Sequence, residues 1–202
     1  QPKIDFNANR VTGVEALVRW EHPRHGLLAP DKFILLAEQT GLIKPLTQEV
    51  LKRALLQCEE WQKAGMDLSI SVNISAINIQ DPEFPDQVAK LLKDIRVPPS
   101  LLELEVTETA AVADIEQARS FAESLTRLGC RFALDDFGSG FASFYYLKHL
   151  PISILKIDGE FVKDLPRTPN DQLIVKALVE VAQGMGMKTV GEYVEDDATL
   201  DI

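Results

Sequence analysis

Cysteine and histidine are scarce in this sequence, with two cysteines and three histidines among 202 residues. Cys58 and Cys130 cannot build the disulfide framework of a small secreted domain, so we expect a reduced, cytoplasmic setting. The histidines do not form a His-x-x-x-His motif, and no Cys-x-x-Cys pair is present. The sequence therefore gives no support to a zinc site.

Long apolar runs are also missing, and the longest are far shorter than the ~18 residues of a membrane-spanning helix. Gln1 is not followed by the basic, apolar and small-residue order of a signal peptide. No linker rich in proline, glycine or serine interrupts the chain. We therefore expect one domain, residues 1–202, that makes no membrane contact of its own.

Basic residues are outnumbered, since 21 lysines and arginines face 31 aspartates and glutamates, for a net charge of −10. Duplex nucleic acid needs a basic surface, so general nucleic-acid binding is excluded. A phosphate-containing substrate would need positive charge from another source. The composition is otherwise that of a globular protein, with 46% apolar and 26% charged residues.

Short apolar segments alternate with longer amphipathic ones, which predicts an α/β fold with a parallel sheet covered by helices. The predicted strands are 11–18, 68–74, 101–106, 131–135, 152–157 and 188–191, with 1–5 as a further candidate. The predicted helices are 30–39, 46–64, 85–93, 113–128, 144–150 and 171–184. A (β/α) barrel and an open doubly wound sheet both fit this alternation.

Oxygen-bearing side chains cluster near the ends of the predicted strands. Carboxylate and amide oxygens suit hard cations such as Mg²⁺ or Mn²⁺, and barrel enzymes place their sites at these strand ends. Each such residue has a plainer interpretation as a turn or helix cap, and we interpret Glu103 in this way. The candidate metal ligands are Glu15, Asn73, Glu105, Asp135, Asp136 and Glu192.

Two further features suggest chemistry at the same strand ends. The adjacent acids Asp135 and Asp136 precede a glycine-containing loop, and neighbouring carboxylates repel each other unless cations hold them. Lys156 lies between apolar residues of a predicted strand, where a lysine needs a carboxylate partner or a catalytic task. By alternation, Lys156 shares a strand face with Asp158.

Several motifs, spread over almost the whole chain, match one family in its own order. The first is Glu15-Ala16-Leu17, which continues as Val18-Arg19-Trp20. Together the motifs resemble EAL-domain cyclic di-GMP phosphodiesterases. The others are Gln1-Pro2, Gly41-Leu42-Ile43, Ser71-Val72-Asn73-Ile74-Ser75, Leu104-Glu105-Val106-Thr107-Glu108, Asp135-Asp136-Phe137-Gly138-Ser139-Gly140, Leu155-Lys156-Ile157-Asp158 and Gly191-Glu192-Tyr193-Val194-Glu195.

The resemblance implies a TIM-like (β/α) barrel with one antiparallel strand near its start. It implies hydrolysis of one phosphodiester of cyclic di-GMP to linear pGpG with two Mg²⁺ or Mn²⁺ ions. By motif position, the first ion would be held by Glu15, Asn73, Glu105 and Asp135. Asp135 would bridge to the second ion, which Asp136 and Glu192 also approach.

The resemblance also assigns roles around these ions. Lys156 matches the residue that contacts the nucleophilic water, as base or as positioner, and is grouped with Glu192 and Glu108 as catalytic. Arg19 matches a phosphate contact. The remaining assignments are Gln1, Leu17 and Asp158 as substrate contacts, Glu195 as a supporting acid, and Ser139 in a loop that couples dimerisation to metal binding.

The chain departs from the family pattern at three places. Tyr193 stands where a glycine is usual, which is expected to crowd the loop beside the second metal. Phe141-Ala142-Ser143 replaces Tyr-Ser-Ser. The chain is also shorter than the ~250 residues of a complete barrel, so we expect its closing strand and helix to be missing.

The partners that the resemblance implies are cyclic di-GMP and a second copy of the domain. The resemblance also implies a longer sensor protein around the domain, of a kind that can be anchored in a membrane. Phe141, Phe144 and Tyr145 could serve a dimer interface or pack in the core. The alternative to an enzyme is a catalytically silent cyclic di-GMP receptor on the same scaffold. An unrelated (β/α) barrel acting on another phosphate ester is a further alternative.

Overall fold

A computed structural model describes residues 1–138 and 144–202. These residues fall into two compact units. The N-terminal unit comprises Gln1–Leu104 with Ser124–Arg131, and the C-terminal unit comprises Glu105–Glu123 with Phe132–Ile202. No helix within the described ranges is long and apolar enough to cross a membrane.

The strands of the described residues follow the predicted positions closely. Hydrogen bonds join seven of them into a sheet in the order β1-β2-β5-β6-β7-β8-β9, and β3 pairs with β4 in a separate hairpin that the sequence did not predict. The strands are β1 (Pro2–Asp5), β2 (Arg10–Ala16), β3 (Trp20–His22), β4 (Gly26–Leu28), β5 (Ser69–Asn73), β6 (Leu102–Thr107), β7 (Arg131–Phe137), β8 (Ile154–Ile157) and β9 (Lys188–Gly191).

Strand directions and order decide between the two folds that the alternation allowed. β1 is antiparallel to β2, whereas β2 and β5, β7 and β8, and β8 and β9 pair in parallel. The strand order rises steadily with the sequence. A doubly wound sheet would reverse its order at a switch point, so the topology is that of the (β/α) barrel. No strand follows β9 in the part of the chain that the structure describes.

The described residues form a helix at each predicted position, and four short helices, 76–79, 108–113, 159–162 and 197–200, were not predicted. The segment 30–39 begins as a 3₁₀ turn, and 113–128 is divided at Asp114, whose extended backbone separates two helices. The helices are α1 (Ile34–Gln39), α2 (Ile43–Lys63), α3 (Ala76–Ile79), α4 (Phe84–Ile95), α5 (Glu108–Ala113), α6 (Ile115–Leu128), α7 (Phe144–His149), α8 (Gly159–Val162), α9 (Pro169–Gly184) and α10 (Asp197–Leu200).

The apolar strand residues form the core of each unit. In the N-terminal unit, Leu55 and Cys58 of α2 are fully buried, as is Val72 of β5. In the C-terminal unit, Phe132 and Leu155 of β7 and β8 are fully buried. Burying each large apolar side chain contributes about 1.5–3 kcal/mol, which fixes the strands and therefore the positions of the polar residues that alternate with them.

Candidate active site

The strands of the C-terminal unit carry a charged cluster along their carboxyl ends. Glu105 lies in β6, Asp135 in β7 and Lys156 in β8, and Glu192 directly follows β9. The carboxyl ends of parallel strands lie at one edge of a sheet, so residues distant in sequence are brought together there. The alternation of apolar and polar residues turns their side chains to the same face.

Lys156 is the centre of this cluster. Its ammonium Nζ donates a hydrogen bond to Oε2 of Glu105 at 2.8 Å and lies 2.9 Å from Oδ1 of Asp135 and 3.0 Å from Oε1 of Glu192. Lys156 is 2% exposed and Glu105 is fully buried. One buried positive charge therefore faces three carboxylates, which leaves the cluster with excess negative charge.

The excess charge shows in the titration of Asp135. Burial, together with the neighbouring carboxylates of Glu105 and Glu192, raises the pKa of this carboxyl from 3.8 to about 6 against the opposing effect of Lys156. The ionised form of this carboxyl is disfavoured because it is removed from water and faces two other carboxylates. More cationic charge at this position would return the Asp135 carboxyl to its ionised form.

A second group of oxygen atoms adjoins this cluster. Ligand atoms of Asp135, Asp136 and Glu192 all lie within 4.8 Å of one another. Asp136 holds a left-handed backbone with φ of 54°, and its N–H donates to Oδ1 of Asp135 at 3.0 Å. An all-oxygen donor set with net negative charge suits a hard cation such as Mg²⁺ or Mn²⁺, so these residues fit the predicted metal.

Glu108 lies directly beyond β6, at the start of α5. It is 2% exposed, and its Oε2 accepts a hydrogen bond from the backbone N–H of Gly138 at 3.1 Å. Within the described ranges, Oε1 of Glu108 is buried without a hydrogen-bond partner. Glu108 therefore holds the residue that follows β7. No contact between Glu108 and Lys156 is found among the described residues.

The remaining predicted metal ligands lie in the N-terminal unit. Glu15 is in β2 and Asn73 ends β5, and Nδ2 of Asn73 donates to Oε1 of Glu15 at 2.8 Å. Gln1 pairs with Glu15 through its backbone, because Glu15 N–H donates to Gln1 O at 2.7 Å. The structure thus brings together these three predicted residues.

A cavity of about 660 Å³ in the N-terminal unit includes three predicted substrate contacts in its lining. These are Gln1, Leu17 and Arg19, and residues of α2 such as Arg53 complete the lining. Leu17 is 41% exposed, and Nη1 of Arg19 donates to Val18 O at 2.8 Å. The two arginines lie in a wall that also contains Glu15 and Glu49, and Arg53 pairs with Glu49 at 2.6 Å.

Other predicted residues occupy the surface of the C-terminal unit. The Asp158 carboxylate caps α8 by accepting from the backbone N–H of Glu160 at 2.8 Å. Glu195 is exposed between β9 and α10. Phe144 and Tyr145 are each 56% exposed, so they do not pack in the core. Ser139 and the segment Phe141-Ala142-Ser143 lie outside the described residues.

Glu103 corrects one interpretation from the sequence. It is not a cap, because it lies within β6 and is 2% exposed. Its carboxylate pairs with Lys3, accepts from Ser71 Oγ at 2.7 Å, and lies 3.0 Å from Nη1 of Arg131. Burial opposes its ionisation, but Lys3 and the hydrogen bonds from Lys3, Ser71 and Ser69 lower its pKa to about 2. The sequence did contain a signal for this buried position, because the alternation along β6 places Glu103 on the same strand face as Glu105.

The comparison with known families agrees with this arrangement. The sequence profile of the EAL domain matches residues 1–202. The chain belongs to the EAL domain family. The resemblance inferred from the motifs is therefore confirmed.

Curated relatives of this EAL domain come from Pseudomonas aeruginosa, among other organisms. It is 41% identical over 199 residues to the bifunctional diguanylate cyclase/cyclic di-GMP phosphodiesterase MucR, covering 98% of this chain and 29% of MucR. It is 40% identical over 201 residues to the cyclic di-GMP phosphodiesterase NbdA, covering 99% of this chain and 26% of NbdA. The EAL domain thus spans less than a third of the length of these relatives.

Solved structures show the same fold. The MucR phosphodiesterase in complex with c-di-GMP matches with a TM-score of 0.94 at 40% identity, over 100% of this chain and 82% of that chain. The EAL domain of Mycobacterium smegmatis DcpA matches with a TM-score of 0.83 at 31% identity, over 98% and 81%. The predicted TIM-like barrel fold is therefore confirmed.

Proposed function

We propose that this EAL domain is a cyclic di-GMP phosphodiesterase that opens the ring to linear pGpG. The observation that carries the proposal is the buried Lys156 among Glu105, Asp135 and Glu192. In the reaction, a water oxygen bonds to phosphorus, the bond from phosphorus to the 3′-oxygen breaks, and the leaving oxygen takes a proton. The products keep a 5′-phosphate and a free 3′-hydroxyl.

Lys156 and Glu192 are the residues proposed to handle the water. The ammonium has three donors in a fixed orientation, since Glu105 and Asp135 accept from a side chain that burial and packing hold still. Glu192 is less buried, with 24% of its side chain exposed, so it faces the solvent side of the cluster. A water held beside this Lys156–Glu192 pair, on its solvent side, would be oriented for attack on phosphorus.

The metal ligands proposed are those assigned by the family motifs. Glu15, Asn73, Glu105 and Asp135 would hold one Mg²⁺ or Mn²⁺ ion, and Asp135, Asp136 and Glu192 a second. When bound, such ions neutralise phosphate charge and lower the pKa of water. The raised pKa of Asp135 is compatible with this assignment, because burial and two neighbouring carboxylates disfavour its charge and a cation would offset both effects.

Arg19 is the proposed phosphate contact, and Gln1, Leu17 and Asp158 are the other proposed substrate contacts. Arg19, Gln1 and Leu17 share one cavity, where a guanidinium is available for a phosphate oxygen. The net charge of −10 is then not a barrier to an anionic substrate. Several of the acids would bind cations, so the electrostatic potential at the site would become more positive and attract phosphate.

The deciding experiment is turnover of cyclic di-GMP in Mg²⁺ or Mn²⁺, with the product identified by anion-exchange chromatography and mass spectrometry. We expect pGpG from the unaltered protein and none from Glu15→Ala or Lys156→Ala, with folding checked by circular dichroism. Lys163→Ala, at an exposed lysine of the same unit, is the matched control and should retain turnover. Binding without hydrolysis in both metals would instead support a cyclic di-GMP receptor.

We also propose that the domain works in the cytoplasm as a homodimer within a longer protein. The length of the curated relatives supports the longer protein. The exposed Phe144 and Tyr145 of α7 offer an apolar contact to a second copy. Sedimentation of the unaltered protein and of Tyr145→Glu tests this, because the substitution should shift a dimer towards monomer.

A further inference from the structure

Tyr193 carries an exposed aromatic side chain on the residue next in sequence to the acid cluster. It directly follows Glu192, and 64% of the residue is exposed. Its backbone φ of 55° lies in the left-handed region, which large side chains seldom adopt. Strain of this kind persists only where the surroundings fix the residue, and it is concentrated at functional sites.

Gly159 provides the seat for this ring. A β-carbon on residue 159 would contact Cδ2 of Tyr193 and lie 2.9 Å from its Cε2. Only glycine leaves room for the ring at this position. The seat itself is anchored, because Asp158 caps the start of α8 and its N–H donates to Phe137 O at 3.3 Å. The ring is therefore held from below while most of its surface remains open.

Tyr193 is also joined through the backbone to Glu192, whose carboxylate is proposed to orient the water. Oε1 of Glu192 is 3.0 Å from Nζ of Lys156, and Glu192 N–H donates to Ile157 O at 3.4 Å. In a nucleotide, a ribose separates the phosphate from the base. A flat apolar surface one residue away from the phosphodiester site is placed to meet the base rather than the phosphate.

We propose that the ring of Tyr193 stacks on a guanine base of cyclic di-GMP and so positions the substrate. This inference rests on the proposed function, whose phosphodiester site it extends to the nucleobase. An aromatic ring offers a large rigid surface at little cost in conformational entropy. Stacking accepts any base, so Tyr193 supplies affinity and alignment rather than discrimination between bases.

Two substitutions of Tyr193 distinguish the contribution of the aromatic ring from that of an apolar side chain. Tyr193→Leu keeps an apolar group over Gly159 but removes the aromatic face, whereas Tyr193→Phe keeps it. We expect KM for cyclic di-GMP to rise roughly tenfold or more in Tyr193→Leu and to change less than twofold in Tyr193→Phe. Phe6→Leu, at an exposed phenylalanine beyond β1, is the control and should leave KM unchanged.

A direct stacking signal completes the test. A cyclic dinucleotide carrying one 2-aminopurine base loses fluorescence when that base stacks on an aromatic ring. We expect quenching by the unaltered protein and by Tyr193→Phe, and its loss in Tyr193→Leu, a difference that a merely structural role for Tyr193 would not produce. Equal KM and equal quenching in the two variants would overturn the inference.

The outcomes also separate the two proposals. If the unaltered protein binds and quenches the probe without hydrolysing cyclic di-GMP, the phosphodiesterase proposal fails and stacking by Tyr193 stands. If it hydrolyses cyclic di-GMP and Tyr193→Leu behaves like Tyr193→Phe, only the stacking proposal fails. If it neither binds nor hydrolyses, both are overturned.

Discussion

Replacing Lys156 by methionine keeps a long, flexible side chain at the centre of the acid cluster but removes its ammonium. The carboxylates of Glu105, Asp135 and Glu192 accept from or face that ammonium at 2.8–3.0 Å. Lys156→Met therefore leaves three acids around an apolar side chain, two of them buried. The acids must then either repel one another or bind protons from the solvent.

The structure gives the size and the pH dependence of this effect. Removing one partner of a buried ion pair costs about 3–5 kcal/mol, and side chains at Lys156 and Glu105 are 3% and 0% exposed. We expect a loss of this size at pH 7.5 in a metal chelator. At pH 5 the loss should be smaller, because Asp135 in the unaltered protein already has a pKa raised to about 6 and part of the charge is neutralised there.

Urea denaturation followed by circular dichroism at pH 7.5 and pH 5 measures this difference in the free energy of unfolding. Lys163→Met is the matched control. Lys163 pairs with Glu160 at 2.6 Å on the exposed side of α8, so its substitution should leave the unfolding midpoint unchanged. Mg²⁺ should restore part of the stability, since a ligand at 100 times its Kd contributes about 2.7 kcal/mol.

Two results would refute the reasoning. One is an unchanged unfolding midpoint for Lys156→Met in chelator at pH 7.5. The other is an equal loss at both pH values, which would assign the effect to lost packing of the lysine stem instead of its charge.

Three other predictions follow from single contacts. The pKa of Asp135 is raised, so its stabilising contribution is complete below about pH 4 and is lost as the pH rises through about 6. Asp135→Asn should therefore stabilise the metal-free protein at pH 7 by up to about 3 kcal/mol in urea denaturation, and it should weaken Mg²⁺ binding measured by calorimetry. Lower stability of the variant would contradict this prediction. The pKa of Glu103 is lowered to about 2, so the free energy of unfolding should fall by about 3 kcal/mol as the pH falls from 4.5 to 2. Acid unfolding of Glu103→Gln, followed by circular dichroism, should lack this loss. An acid profile identical to that of the unaltered protein would refute the prediction. A β-carbon on Gly13 would contact Ser69 Oγ, so Gly13→Ala should cost about 1–3 kcal/mol, and a double-mutant cycle with Ser69→Ala should recover part of it; strict additivity would contradict the clash.

The sequence predicted the charged residues of the C-terminal unit because strand periodicity is a strong signal. Glu105 and Lys156 stand between apolar neighbours that must be buried, so alternation alone turns both to the same face. The short hairpin of β3 and β4 was missed, since three-residue strands such as Trp20–His22 are too short to show a period. Glu103 was misassigned because its partner Lys3 is 100 residues away in sequence.

The position of Tyr193 illustrates the other limit. Motif comparison identified it as a departure from glycine, but only the backbone shows that it retains the left-handed conformation that a glycine would adopt freely. Its contact with Gly159 depends on the approach of the β9 end to the start of α8, which no local pattern encodes. Whether the assigned metal and substrate residues act as predicted stays a prediction for the experiments above.

Lys156 has a consequence for how the domain is made in the cell. A site built from carboxylates alone would oppose its own assembly until a divalent ion arrived, as structural zinc domains stay unfolded without their metal. Here the chain itself supplies one positive charge, because Lys156 is part of β8 and is buried beside the acids when β8 joins the sheet. We therefore expect the domain to complete its fold whatever the supply of divalent ions, so that these ions govern activity rather than survival of the protein.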